Sequence, residues 1–291
     1  MKETLMAAKA EQLVGDSDAL PTIPTVATRI LALLDQGEVN LDEVADLMLA
    51  DQILTARALK IINSPVFRPS TPITSLKAAV VYLGVAHIRE IILTTSLIDI
   101  FDGGSAGELS AFWEHSFGVG MVAKVIAGKA GYRDVDKAYI AGVIHDIGIV
   151  FLSSYHGDGI KRVQSRLDKG ADLLAAEVEE FGASHCEVGL CLAKRWNFPD
   201  AYCEVIACHH DPYQATLDPV LCALVNLANL FWSMHLPDYG GWVSFNLATE
   251  PAWKLLKERC PELKMDEERF RYELEEAVHE VQQLVASIFT S

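Results

Sequence analysis

The sequence predicts an all-α protein, and three observations predict it. Apolar residues recur at steps of three and four through nearly every segment between turn signals. No alternating pattern runs longer than a few residues, and no glycine-rich phosphate loop is present. Hydrophobic residues make up 51% of the 291, which excludes wholesale disorder and suffices for two moderate helical cores.

The first helix is expected where Val26, Ile30, Leu33 and Leu34 share a face, between the Pro21 and Pro24 pair and Gly37. Asn40 is placed to cap the second, with Glu43 three residues on and Val44, Leu47 and Met48 as its inner stripe. Ile53 to Ile62 gives a third, ended by Asn63-Ser64-Pro65. Thr74 or Ser75 caps a fourth, through Ala78, Ala79 and Tyr82 to Gly84, and Val85 to Phe101 follows. Asp102 to Gly107 concentrates turn-forming residues and is the linker, so the boundary falls there. The expected organisation is a tail at 1–15, an N-terminal helical lobe at 16–105, and a second helical lobe at 106–291 that includes the C-terminal helix.

Beyond the linker, helices are expected at about 108–131, 134–154, 157–169, 171–181, 184–196, 200–209 and 219–235. A loop rich in Pro, Gly and Trp then leads to a charged helix at about 265–289. Its Phe270, Leu274, Val278, Val281 and Val285 form one packing face.

Lys and Arg number 24 against 40 Asp and Glu, a net charge of −16. Such a surface repels phosphate backbones and anionic membranes, so neither direct nucleic-acid binding nor a membrane partner is expected. Met1 to Ala19 shows no secretory pattern and the 16-residue run Pro219 to Met234 is short for a span, so a cytoplasmic protein is expected. The six cysteines include no CxxC pair and sit among apolar neighbours, where they read as small hydrophobes rather than as ligands of a structural zinc.

The histidines carry the chemistry. His115 lines up with Phe112, Val119, Val122 and Ile126; His145 with Ala138, Ala141, Ile149 and Leu152; His185 with Val188, Leu192 and Trp196; and His209 follows Tyr202, Val205 and Ile206. One such histidine is ordinarily a satisfied core residue, but four on separate helices are costly to bury without a common purpose. His145 and Asp146 read equally as a hydrogen-bonded core pair or as two sides of a metal grip. With Asp146 and His210 added, the donors suit Fe, Mn, Zn, Ni or Co better than Mg or Ca. Cys222, Asn226, Asn229 and Ser233 form a polar stripe that either closes this site or is an ordinary core network. His87, His156, His235 and His279 read as surface side chains.

The order His115, His145-Asp146, His185, His209-His210 resembles the HD superfamily of metal-dependent phosphohydrolases, with spacing similar to the HD-GYP cyclic-dinucleotide phosphodiesterases. Leu20-Pro21-Thr22-Ile23-Pro24, Asp51-Gln52-Ile53-Leu54-Thr55-Ala56-Arg57, Asn63-Ser64-Pro65-Val66-Phe67, Ile73 to Ala79 and Leu83-Gly84 are together similar to the HDOD domain, a bacterial signalling module. The similarity covers residues 16 to 235. It implies an all-α, two-lobed helical bundle, an N-terminal HDOD lobe packed on an HD-like lobe, with a regulatory role in signal transduction. By the same resemblance the ligands of one or two divalent transition ions are His115, His145, Asp146, His185, His209, His210 and, in place of the family's last aspartate, Asn229. Asp146 would bridge the ions, with His185, His209 and His210 on one and His115 and His145 on the other.

Ile149 stands where HD-GYP enzymes hold a lysine near the phosphate, and Asp211-Pro212-Tyr213-Gln214 stands in place of their glycine-tyrosine-proline signature. These departures lead to a regulatory module with a metal-binding cluster, little or no hydrolase activity, no assigned catalytic residue and a protein signalling partner. The alternative is a phosphohydrolase acting on a small nucleotide or phosphoester through a water activated by two metals. A weaker third reading is an oxidant or metal sensor built on an iron pair.

Overall fold

The computed structural model describes residues 2–15, 29–30, 33, 39–49, 59, 73–75, 77–84, 88, 92, 110–235, 246–261, 263 and 266–289. Among them there is no strand, and twelve helices lie wholly within the described residues. These are α1 (Lys2–Gly15), α2 (Leu41–Leu49), α3 (Ser110–Ala130), α4 (Val135–Ile144), α5 (Ile147–Tyr155), α6 (Gly157–Leu167), α7 (Leu173–Phe181), α8 (His185–Arg195), α9 (Asp200–Cys208), α10 (Pro219–Ser233), α11 (Pro251–Arg259) and α12 (Glu267–Phe289). The expected helices at 53–62 and 85–101 are represented only by helical Leu59, Ile88 and Ile92. His87, the linker at 102–107 and the loop at 236–245 lie outside the described residues.

By its internal contacts the chain divides into two compact units, Met1–Leu20 with Gly107–His279, and Pro21–Ala106 with Glu280–Ser291. In the second, α2 and a helical run at 77–84 carry a core of their own. Ile30, Val44, Ala45, Met48, Ala79, Val80, Ile88 and Ile92 are buried together, as the three-and-four spacing of the apolar residues requires. Asn40 caps α2 by accepting from the backbone N–H of Asp42 (3.1 Å), and Ser75 Oγ accepts from Ala78 N–H (3.1 Å), so Ser75 is the cap of the helical run.

The first unit holds the remaining helices, with α12 as far as His279. Residues 1–15, expected as a tail, contain α1, whose Ala10 and Val14 are buried and which packs on α8. The expected continuous helix 134–154 is two helices, because the chain turns at His145 and Asp146. Counted through that turn, Val135–Tyr155 is apolar enough to cross a membrane, but 83% of its most apolar stretch is buried in the protein, as in a core segment. Helix α11, which the sequence reading left as loop, buries Trp253 against Phe270 of α12 (ring centroids 4.5 Å apart). Phe270, Leu274 and Val278 are buried on one stripe of α12, each contributing about 1.5–3 kcal/mol.

Candidate metal centre

Local sequence sets where each polar side chain of the centre points. Gly120 and Gly142 let α3 and α4 touch backbone to backbone, since a Cβ on Gly142 would lie 2.6 Å from the Gly120 Cα. That contact fixes His115 of α3 beside His145 at the end of α4, with ring centroids 5.5 Å apart. Asp146 is the N-cap of α5, yet its side chain caps nothing, so its carboxylate is available to the interior. Gly148, in the first turn of α5, lies against α8 so closely that a Cβ would collide with the His185 carbonyl oxygen. On the other side Ser184 and Glu187 form a capping box that starts α8 at His185. Helix α9 ends at Cys208, and His209 and His210 occupy the turn that follows.

The result is a buried carboxylate ringed by imidazoles. Asp146 Oδ2 is 3.2 Å from His145 Nε2 and 3.6 Å from His115 Nε2; Oδ1 is 3.3 Å from His209 Nε2 and 3.4 Å from His185 Nε2. His210 reaches the group through its Nε2, 3.1 Å from that of His185, while its outer edge is exposed. Asn229 of α10 lies beside His115 and accepts from Ser233 Oγ (3.1 Å). All seven residues named from the sequence are therefore at or beside one place. Asn226 donates to the His209 carbonyl oxygen (2.7 Å) and steadies the turn that carries the two imidazoles. Of the histidines set aside, His156 and His235 are half-buried and His279 is exposed.

Two residues escaped the sequence reading. Glu177 of α7 is almost wholly buried, and its Oε2 accepts from the backbone N–H of His185 (2.9 Å) and lies 2.8 Å from His185 Nδ1. The signal was available: it is an acid four residues after Leu173 and four before Phe181, on a helix just upstream of a buried histidine. The other is Cys186, whose Sγ lies 3.5 Å from His185 Nε2.

Hydrogen bonding fixes the tautomers. His145 Nδ1 is 2.7 Å from the Gly142 carbonyl oxygen, and His209 Nδ1 is 3.2 Å from that of Ile206. A carbonyl only accepts, so both Nδ1 atoms carry the proton, and the neutral tautomer of each ring turns its Nε2 lone pair inward. Those lone pairs face the Asp146 carboxylate, which also only accepts. Neither His145 Nε2 nor Asp146 Oδ1 makes a hydrogen bond among the described residues.

The electrostatics agree. Burial pushes His209 down to about 4 and His115 down to about 3, against the opposing pull of Asp146, so both are neutral at pH 7. Burial alone would raise the Asp146 pKa, but charge on the surrounding imidazoles, His185 with its raised pKa among them, holds the carboxyl well below its usual range. Burial opposes a charge on His185, yet Cys186 and Glu177 hold its pKa well above the ordinary histidine value. The inward lone pairs of His145 and His209 converging on the Asp146 carboxylate in a dry interior fit a cation. These side chains form two groups that could hold a metal ion, His115, His145 and Asp146 in one and His185, Cys186, His209 and His210 in the other.

The buried imidazoles and carboxylate on an all-helical fold make this a helical protein with a candidate metal centre. The chain belongs to the HDOD domain family, whose model matches residues 20–212. It is similar to an HDOD domain protein from Geobacter sulfurreducens, with 34% identity, 99% of each chain covered and a TM-score of 0.86. It shares its fold with a proposed phosphohydrolase from Shewanella amazonensis SB2B (20% identity, 97% and 98% covered, TM-score 0.75). It also shares it with a proposed signal transduction protein from Marinobacter aquaeolei VT8 (17%, 99% and 65% covered, TM-score 0.76). The chain spans 44% of the length of a Treponema pallidum protein to which it is 23% identical over 224 residues.

Proposed function

We propose that this protein is a regulatory module of bacterial signal transduction whose His/Asp cluster binds one or two divalent transition ions and has little or no hydrolase activity. The observation that carries the metal is the pair of bare Nε2 lone pairs, on His145 and His209, directed at the ionised Asp146 from 3.2 and 3.3 Å. Asp146 would bridge, its Oδ1 serving the half with His185, His209 and His210, and its Oδ2 the half with His115 and His145, supported only weakly by Asn229. Asn229 is the reason to hold the second half the weaker one, because a neutral amide is a poor substitute for a carboxylate around a divalent ion.

In the alternative phosphohydrolase, the ions would supply Lewis acidity and an activated water. Ile149, buried where a phosphate-holding lysine would stand, argues against it, and the ion-pair partners of Asp146 among the described residues are all histidines. The acidic surface, with a net charge of −16, suits docking of a signalling protein in the cytoplasm and opposes nucleic acid or an anionic membrane.

Elemental analysis of protein purified without chelators tests the reading. Transition metal near stoichiometric levels is expected, and metal-free protein that takes up none when offered Zn, Mn, Fe, Ni and Co would overturn it. Turnover of a generic phosphodiester by the metal-loaded chain, lost in Asp146→Ala, would replace the module by the enzyme. Asn229→Asp supplies the missing acid, and we expect it to raise occupancy of the second half, read as added metal per chain.

A further inference from the structure

The two halves of the cluster differ in donor chemistry. His115, His145 and Asp146 offer two nitrogens and oxygen, whereas His185, Cys186, His209 and His210 bring three nitrogens and a sulfur within 4.8 Å of one another. Cys186 sits at the second position of α8, next to His185, and is buried. Its neighbours on α8 explain why it points inward. The capping box fixes the first turn, and Gly148 and Gly189 bring the backbones of α5 and α8 together beneath it.

The distances are those of donors around one small ion. His185 Nε2 is 3.4 Å from His209 Nε2, 3.1 Å from His210 Nε2 and 3.5 Å from Cys186 Sγ. A tetrahedron with Zn–N of about 2.0–2.1 Å and Zn–S of about 2.3 Å separates two nitrogens by about 3.3–3.4 Å and a nitrogen from a sulfur by about 3.5–3.6 Å. A single proton cannot satisfy the same arrangement. The Nε2 of His185 has four polar neighbours, Asp146 Oδ1 among them, and room for one hydrogen, and His209 Nε2 is a bare lone pair because its Nδ1 donates to Ile206. The Nδ1 of His185 is held by the buried Glu177 carboxylate, the arrangement that orients a metal-bound imidazole and makes it a better donor. The exposed edge of His210 leaves a side by which an ion can enter.

We infer that Cys186 is a metal ligand, and that His185, Cys186, His209 and His210 supply three nitrogens and one sulfur, beside the bridging Asp146 Oδ1, to a site for zinc or another thiophilic divalent ion. This rests on the cluster binding metal at all, and it assigns the two halves different preferences. The thiolate half selects Zn or Co over Mn, while the half with Asp146 and two histidines has no such bias.

The test is the absorption spectrum of the full chain loaded with Co(II). A thiolate-to-cobalt charge-transfer band in the near ultraviolet is expected, retained in Cys208→Ser, whose thiol lies on the neighbouring α9, and lost in Cys186→Ser while cobalt still binds. Cys186→Ser is further expected to weaken zinc binding by more than the roughly tenfold that loss of an outer-shell partner costs. Cobalt bound without that band, or a band that persists in Cys186→Ser, overturns the cysteine assignment and leaves the histidine site standing. Failure to bind cobalt or zinc at all overturns both. The wild-type spectrum decides the matter even if the variant does not fold.

Discussion

Around Glu204 and Asp218 every carboxylate oxygen meets a proton, whereas around Asp146 two of the nearest neighbours, His145 and His209, present lone pairs. Glu204 accepts from the backbone N–H groups of Thr216, Leu217 and Asp218 at 2.6–2.7 Å. Asp218 accepts from Tyr132 Oη (2.6 Å), Lys137 Nζ (2.7 Å) and Leu221 N–H (3.1 Å), which ties α4 to the start of α10. That network is complete as it stands and reads as architecture. The Asp146 cluster is deeper, holds more groups and leaves its lone pairs opposed, which costs stability unless a cation joins it. The difference teaches where to look for a ligand: in the polar group that remains unsatisfied although its fold is rigid.

The contrast can be broken from either side. The largest effect is expected from Asp146→Ala, which removes the shared ligand and should lower metal affinity by more than about 100-fold, well beyond the loss of an outer-shell partner. Dialysis followed by elemental analysis checks it, and unchanged metal content would show that the histidines alone suffice. Chelation comes next. At loading of about 100 times Kd, bound metal stabilises by about 2.7 kcal/mol, so a chelator should lower Tm by about 5–10 °C. A melting point that does not move would mean the cluster is stable without an ion.

Glu177→Gln keeps the shape and removes the charge behind His185, so affinity should fall by about 10–100-fold with little change in the melting of the metal-free protein. Equal affinity would reduce Glu177 to a helix-end partner of the His185 backbone. The smallest effect belongs to the satisfied network. Burial would raise the Asp218 pKa, but Lys137, Tyr132 and the Leu221 N–H lower it in the folded chain. A depressed folded pKa contributes stability above the unfolded value, about 3.9, and loses it as pH falls through the folded one. Asp218→Asn should therefore cost about 1–3 kcal/mol at pH 7, less in acid, and leave metal binding unchanged. A stability loss that is the same at pH 7 and in acid would contradict the ionic role.

The helical fold and the inward-facing histidines could be read in the chain because burial and periodicity are local signals, whereas Asn229 was named as a ligand by family resemblance. An imidazole on an apolar stripe, as at His115 or His185, is visible without neighbours. What could not be read depends on contacts between distant segments. The turn that separates α4 from α5 has no proline to announce it; the apolar pattern runs straight through His145-Asp146, and only packing shows the break. Cys186 sits among hydrophobic residues as any core thiol would, and its role emerges only when α8 is placed against the turn after α9. Helix α11 was missed because its charged residues mask Trp253 and Leu256, the side chains that bury it.

The contact at Gly148 carries a consequence for how this pocket can change over time. A methyl group there would wedge α5 off α8 and carry Asp146 out of reach of His185, although position 148 donates nothing to the centre. The cluster can therefore be dismantled without altering any of its donors, and a relative that keeps all six His and Asp side chains but bears alanine at this position should have an empty, slackened pocket.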